Sequence, residues 1–303
     1  MFVDHFLESW SFKDRIPKQE LGNEQTRLQM YMKIIKSITE YIDVVQKVLS
    51  EISIQIGGYD PIGYSWFRGQ SNKNWDLIPR LYRLDENAFT EREMYRDFKL
   101  RSDAFISIPP ECYLEQLFIM QHHGMPTRLL DWTESHLFAL FFAVESENSD
   151  FDAAVWIFRA AELNKLSGYG KSIPMSNHKI FRKYELNIDL KKPDDKILRE
   201  VSAPYPMAVR PRRNTTRIVA QRGMFTIHGK EKNSIFDYVE TQKSSDKIFR
   251  KIIISGKSKS QIKKELFLAG ISYSTLFPDL DGLSKEISYR FSEKYLNQHF
   301  LSD

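Results

Sequence analysis

The chain predicts an α+β fold in which a helical N-terminal portion precedes a mixed or antiparallel sheet with helices packed against it. Three observations carry that reading. Apolar residues recur at steps of three and four from Leu28 to Ile52, a nearly all-apolar helix lies close to the middle, and short β-branched and aromatic runs dominate from residue 153 onward. With 303 residues, 42% of them hydrophobic and 13% aromatic, the chain is long enough to bury a sizeable core. No repeat, low-complexity block or long linker divides it, so a single domain is expected over 59–303, behind a helical portion over 1–58.

Taken in order, Leu28, Met32, Ile35, Ile38, Ile42, Val45, Leu49 and Ile52 share the face of one long amphipathic helix, with Thr26 and Gln29 placed for a capping box. It stops near Gly57 and Gly58. "YSWFRG" then reads as a strand and "NKNWDLIPRLYR" as loop and short turn. Phe89, Met94, Phe98 and Phe105 space a helix that the prolines at 109 and 110 end. A further helix begins at Glu111, buries Leu114, Leu117 and Phe118, and stops where Gly124 supplies a C-terminal cap ahead of Pro126. "ESHLFALFFAVES", 134–146, is apolar nearly all round and reads as a buried helix with Asp131 near its cap. Strands are expected at 153–158, 207–211, 217–221, 224–228 and 248–255, with Gly223 serving a tight connection. The polar stretch 187–196 reads as an exposed loop, one helix ends at Gly270, and Pro278 introduces the last.

Composition narrows the chemistry. Lys+Arg 44 against Asp+Glu 40 leaves a net charge of only +4, so any preference for anions must come from local clustering. Cys112 is the single cysteine, which excludes a disulfide framework and a cysteine zinc site. The N-terminus has acidic residues where a signal peptide needs positive charge, and no uncharged apolar stretch reaches a membrane-spanning length. A cytoplasmic protein with no membrane partner is expected. "SGYGKS" ends like a phosphate-binding loop, but the motif needs a glycine where Lys165 stands. His122 and His123 are adjacent, about 100° apart on a helix, so they are poorly placed to share an ion and no metal is expected.

The densest polar run is 121–133. Gln121, His122, His123, Thr127, Arg128, Asp131, Trp132 and Thr133 are expected in a loop between two helices, where side chains converge on a cleft. A structural ion pair between Arg128 and Asp131 is the alternative role for its charges. Arg68, displayed by a strand and followed by Gly69, would face the same cleft and pair with Asp131 or with a bound phosphate, Gly69 letting backbone and ligand approach closely. Arg210, Arg212, Arg213, Arg217 and Arg222 form a second set of cations suited to the phosphates of a nucleotide or a nucleic-acid strand, or simply to a solvated surface.

"WFRGQSNKNWDLIPRLYR", "QHHGMPTRLLDWTESHLFALFFA" and "RIVAQRGMFTI" resemble segments of the FRG domain family, whose name is the triplet Phe67, Arg68, Gly69. The resemblance runs from about residue 60 to about residue 290. It implies a bacterial or phage-linked protein of antiviral defence, toxin-like, with an antitoxin or defence-system partner. A weaker likeness is to ADP-ribosyltransferases, and it implies their arrangement of the sheet. Those enzymes present an early-strand Arg or His, then a Ser/Thr segment leading into a helix, then a late Glu or Gln. Arg68, Thr127 with Thr133, and Gln221 fall in that order. The likeness implies NAD⁺ as co-substrate and a nucleic-acid or protein acceptor. Arg68, Asp131 and Gln221 would be catalytic, with Trp132 or Phe225 stacking on nicotinamide. Gln221 carries no charge, so Asp131 would have to stabilise the cationic sugar of the transition state. The alternative function is a non-catalytic sensor that binds a nucleotide or phage-derived ligand in the same cleft.

Overall fold

The computed structural model describes residues 34–55, 65–84, 88–186 and 201–292. Helix α1, Ile38–Gln55, starts behind Ser37, whose hydroxyl accepts the Glu40 amide at 3.2 Å. Periodicity places Ile35 inside this helix, but its backbone is bonded to the sheet instead. The Ile35 amide donates to the Ile253 carbonyl and the Ser255 amide donates back to Ile35, which excludes a helical turn there. The expected capping box at Thr26 and Gln29, the helical positions Leu28 and Met32, and the loop 187–196 lie outside the described residues.

Strand β1, Ser65–Gln70, leads through a loop to the short α2, Arg80–Arg83, then α3, Ala88–Arg101, and α4, Tyr113–His122. Helix α4 ends as its sequence predicts: Gly124 takes φ +81°, and the Met125 amide reaches back to the Met120 carbonyl. The next segment departs from expectation. Residues Leu129–Thr133 form strand β2, not a loop, and the cap of α5, His136–Val144, is Ser135, not Asp131. Alternation explains the strand, since Leu130 and Trp132 turn into one core and Leu129 into another. Strand β3, Ala153–Arg159, runs into α6, Ala160–Leu166, and β4 is Met207–Val209.

The stretch expected as a strand at 217–221 is mostly helical. Thr215 caps α7, Thr216–Ala220, by accepting the Ile218 amide, and Arg222 at φ +48° turns the chain into β5, Gly223–Ile227. A local cap thus overrides the β-propensity of Ile218 and Val219. The chain continues through α8, Ile235–Thr241, α9, Ser245–Ile248, β6, Phe249–Ile254, α10, Lys259–Leu268, α11, Tyr273–Leu276, and α12, Leu280–Arg290.

The six strands form one antiparallel sheet in the order β4-β5-β2-β1-β3-β6. One face buries Phe67, Val155, Ile157, Ile252 and Ile254 under α1, α5 and α10. Beside them on that face, Leu129, Phe225 and Ile227 pack under α4 and Tyr95 of α3. The other face stacks Trp66, Trp132, Trp156, Phe158 and Phe249 beneath α6 and α8. Helix α5 lies so close to β1 that a Cβ on Gly69 would fall 1.9 Å from the Ala139 carbonyl oxygen. Gly69 therefore serves helix-on-sheet packing, where a role in ligand approach was expected. Helix α5 is not buried all round: Ala139, Leu140, Phe141, Ala143 and Val144 are, whereas Leu137, Phe138 and Phe142 are half-buried.

Candidate anion-binding cleft

The site begins with a break in the sheet. Strands β1 and β3 pair through six residues, but β1 meets β2 only where Phe67 faces Thr133. Beyond that pair the strands part, and Arg68 spans the gap. Its Nη1 donates to the Asp131 carbonyl at 2.7 Å and stands 4.0 Å from Asp131 Oδ2. A side chain thus replaces the missing ladder bond.

Two further cations come from α2. Leu81 is buried and its amide donates to the Thr127 carbonyl, which docks this turn against the α4–β2 connection. Arg80 donates from Nη1 to the Gly124 carbonyl at 2.7 Å. Arg68, Arg80, Arg83, Gln121 and Asp131, with the apolar Met125, Leu129 and Leu130, line a cleft of about 150 Å³. Burial lowers the Arg68 guanidinium to about 10, with Asp131 opposing the shift and Arg83 adding to it. Arg83 is lowered as well, first by desolvation and then by Arg80. Like charges are therefore crowded together around one carboxylate.

The carboxylate is oriented by a hydrogen-bond chain with a defined direction. The Asp131 carboxylate can only accept, so Gln121 presents its amino group and Nε2 donates to Oδ2 at 2.9 Å. Gln121 Oε1 then accepts the Thr127 hydroxyl, which itself accepts the Leu129 amide at 3.2 Å. Asp131 is anchored through one oxygen while its side chain remains 58% exposed.

Of the expected site residues, Arg68, Gln121 and Asp131 meet in this cleft, with Thr127 buried behind them. Arg128 does not join them, and the expected Arg128–Asp131 pair is absent. Arg128 is wholly buried, pairs with Glu91 of α3 at 2.5 Å, and donates to the Tyr113 hydroxyl and the Tyr184 carbonyl. Burial is the largest influence and alone would lower its pKa, but Glu91, Tyr113 and Tyr82 together outweigh it and the guanidinium is held above its ordinary range. Trp132 and Phe225, expected to stack on a ligand, are core residues. Trp132 stacks on Phe158 at 4.4 Å and donates to Thr226, and Phe225 stacks on Phe118 at 4.3 Å.

Gln221 and Thr133 meet each other, since the Thr133 hydroxyl donates to the Gln221 carbonyl, but the Gln221 amide is spent on the Leu276 carbonyl at 3.1 Å and does not line the cleft. His122 and His123 lie ring against ring, 4.7 Å apart, at the end of α4. Burial, with Arg217 and His123, pushes His122 down to about 4, which keeps it neutral. Among the described residues no group of His, Cys, Asp and Glu is placed to hold a metal, and no helix is long and apolar enough to cross a membrane.

The arginines at 210–222 do not act as one set. Arg210, Arg212 and Arg213 line a separate groove of about 740 Å³, where Arg212 pairs with Glu111 and Arg213 with Glu134. Arg217 instead donates to the His122 carbonyl and covers the Phe277 ring at 4.7 Å, while Arg222 forms the turn into β5. The cations that sequence reasoning missed are Arg80 and Arg83. Their spacing of three after Pro79 is the signal: on one helical turn it sets both on a common side.

No curated protein and no solved structure matches this chain. The family model of the FRG domain does, over residues 64–152, and every residue that lines the cleft falls within that span. Residues 64–152, with the parted strands and the arginine cleft between them, are thus the part of the chain that matches the FRG domain.

Proposed function

We propose that the FRG domain is a nucleotide-binding module that holds a phosphate of its ligand among Arg68, Arg80 and Arg83. One observation carries this reading: three guanidinium groups converge on one cleft whose described lining holds one carboxylate. Such forks match phosphate oxygens, and partial desolvation strengthens each charged hydrogen bond. In the defence setting that the family resemblance implies, the ligand is a signal of infection and the module a sensor.

A second reading, a toxin that transfers ADP-ribose from NAD⁺ to a nucleic-acid or protein acceptor, has its own support. Asp131 is exposed beside Arg68, where a carboxylate would stabilise the developing cationic sugar while the arginine holds the diphosphate. Gln221 donates to the Leu276 carbonyl and lies outside the cleft's lining, so in this reading Asp131 carries the charge. Calorimetry with ADP and NAD⁺, run beside an assay for released nicotinamide, separates the two. Binding without nicotinamide, weakened at least about tenfold in Arg68→Ala, supports the module. Nicotinamide release that Arg68→Ala abolishes supports transfer. A protein that neither binds nor consumes either compound refutes both readings.

A further inference from the structure

We infer that the ligand of this cleft is a sugar phosphomonoester, with its phosphoryl group among the three arginines and a sugar hydroxyl donated to Asp131. The inference rests on reading the cleft as a phosphate site and goes on to name the ligand class. Charge is the first consideration. Among the described residues that line the cleft, Arg68, Arg80 and Arg83 stand against Asp131, a surplus of two positive charges. A terminal phosphate, a dianion above its second ionisation near pH 6, neutralises that surplus with one group. A phosphodiester carries half as much charge, and a diphosphate spreads its charge over two groups.

The second consideration is the direction of the hydrogen bonds. The Asp131 carboxylate can only accept, so Gln121 donates Nε2 to Oδ2 and its Oε1 takes the Thr127 hydroxyl proton, with Thr127 held in turn by the Leu129 amide. Gln121 and Thr127 are positioning residues. They hold the carboxylate by one oxygen and leave the other to accept. An anionic group is repelled there, whereas a hydroxyl is welcome. The ligand must therefore be negative at one end and carry a donor close by, as a sugar phosphate does. Size agrees. About 150 Å³ is well under the volume that encloses a drug-sized ligand, yet it takes a phosphoryl group and one ring, with Met125, Leu129 and Leu130 against the apolar side of the sugar. A base attached to that sugar would lie outside.

The test is calorimetry on the full chain with ribose 5-phosphate, inorganic phosphate and ribose. Ribose 5-phosphate should bind at least about tenfold more tightly than inorganic phosphate, and ribose undetectably. Its affinity should rise several-fold from about pH 5 to about pH 7.5 as the monoester becomes a dianion. Asp131→Ala keeps the backbone carbonyl that Arg68 uses, so the variant should fold. It should bind inorganic phosphate more tightly than the wild type and lose the preference for the sugar phosphate. AMP and a 5′-phosphorylated oligonucleotide carry the same terminal group, and whichever binds identifies its source. Inorganic phosphate that binds as tightly as ribose 5-phosphate overturns the inference and leaves the phosphate site standing. An Asp131→Ala variant that keeps the preference overturns it too. Absence of binding by both anions removes the site together with the inference.

Discussion

Arg68 and Arg128 are both drawn largely out of water within the same domain, yet their surroundings push them in opposite directions. Around Arg128 the charge is closed: Glu91 takes the guanidinium at 2.5 Å and also accepts the Arg128 amide at 3.0 Å, while Nη2 donates to a tyrosine hydroxyl and a carbonyl. Around Arg68 the charge is open. Its acceptor is a carbonyl, its carboxylate stands 4.0 Å away, and two more arginines share the cleft, which leaves the guanidinium lowered to about 10. A buried cation with a dedicated carboxylate holds structure together, its charge already neutralised. A cation crowded by its own kind keeps the capacity for an anion, since binding one relieves both desolvation and repulsion.

The contrast is broken most forcefully at Glu91. Glu91→Ala leaves Arg128 buried without its counter-charge, and chemical denaturation should show a loss of about 3–5 kcal/mol. A loss below about 1 kcal/mol would mean that Arg128 finds water or another partner, and the two arginines would no longer differ in kind.

Acid sharpens the same region. His228 is wholly buried, and burial pushes it down to about 3, with the Asn233 backbone opposing and the Arg128 cation adding to the shift. The unfolded chain takes up this proton near pH 6.5, the folded protein only near pH 3, so the unfolded state binds more protons in between. Stability should be level above about pH 6.5 and fall by up to a few kcal/mol as pH drops toward 3, and His228→Leu should flatten that slope in thermal melts. His122, held near 4, contributes over a narrower window.

The smallest effect on stability is expected at Arg68. Its side chain is 18% exposed and anchored to one carbonyl, so Arg68→Ala should cost no more than about 1.5 kcal/mol while abolishing anion binding. An insoluble variant would instead place Arg68 with Arg128 among the structural cations.

Much of the scaffold is readable from local pattern. Strands β1, β3, β5 and β6 appear as β-branched and aromatic runs, and α4 and α10 stop where Gly124 and Gly270 take positive φ. Local reading failed where a partner from elsewhere, or a cap, decided the outcome. Ile35 has helical spacing but finds a sheet edge more than 200 residues away, at Ile254. Leu129–Thr133 hold polar residues expected of a loop, yet pair along their whole length with β5. Arg80 and Arg83 share a helix of four residues, too short for apolar periodicity to mark, so only their spacing after Pro79 points to a common side.

The sequence by itself therefore determined the α+β class, the cap glycines and the apolar α5. Each of these follows from the spacing of neighbouring residues, which local geometry converts directly into structure. Only the tertiary structure decided which charge met which. Arg128 lies three residues from Asp131 but pairs with Glu91, 37 residues before it, and Asp131 is reached by Arg68 from 63 residues away. The physical reason is that an ion pair's worth depends on how much water its two groups lose, and burial is set by the packing of α3 and β1 against β2, which no short stretch of sequence contains.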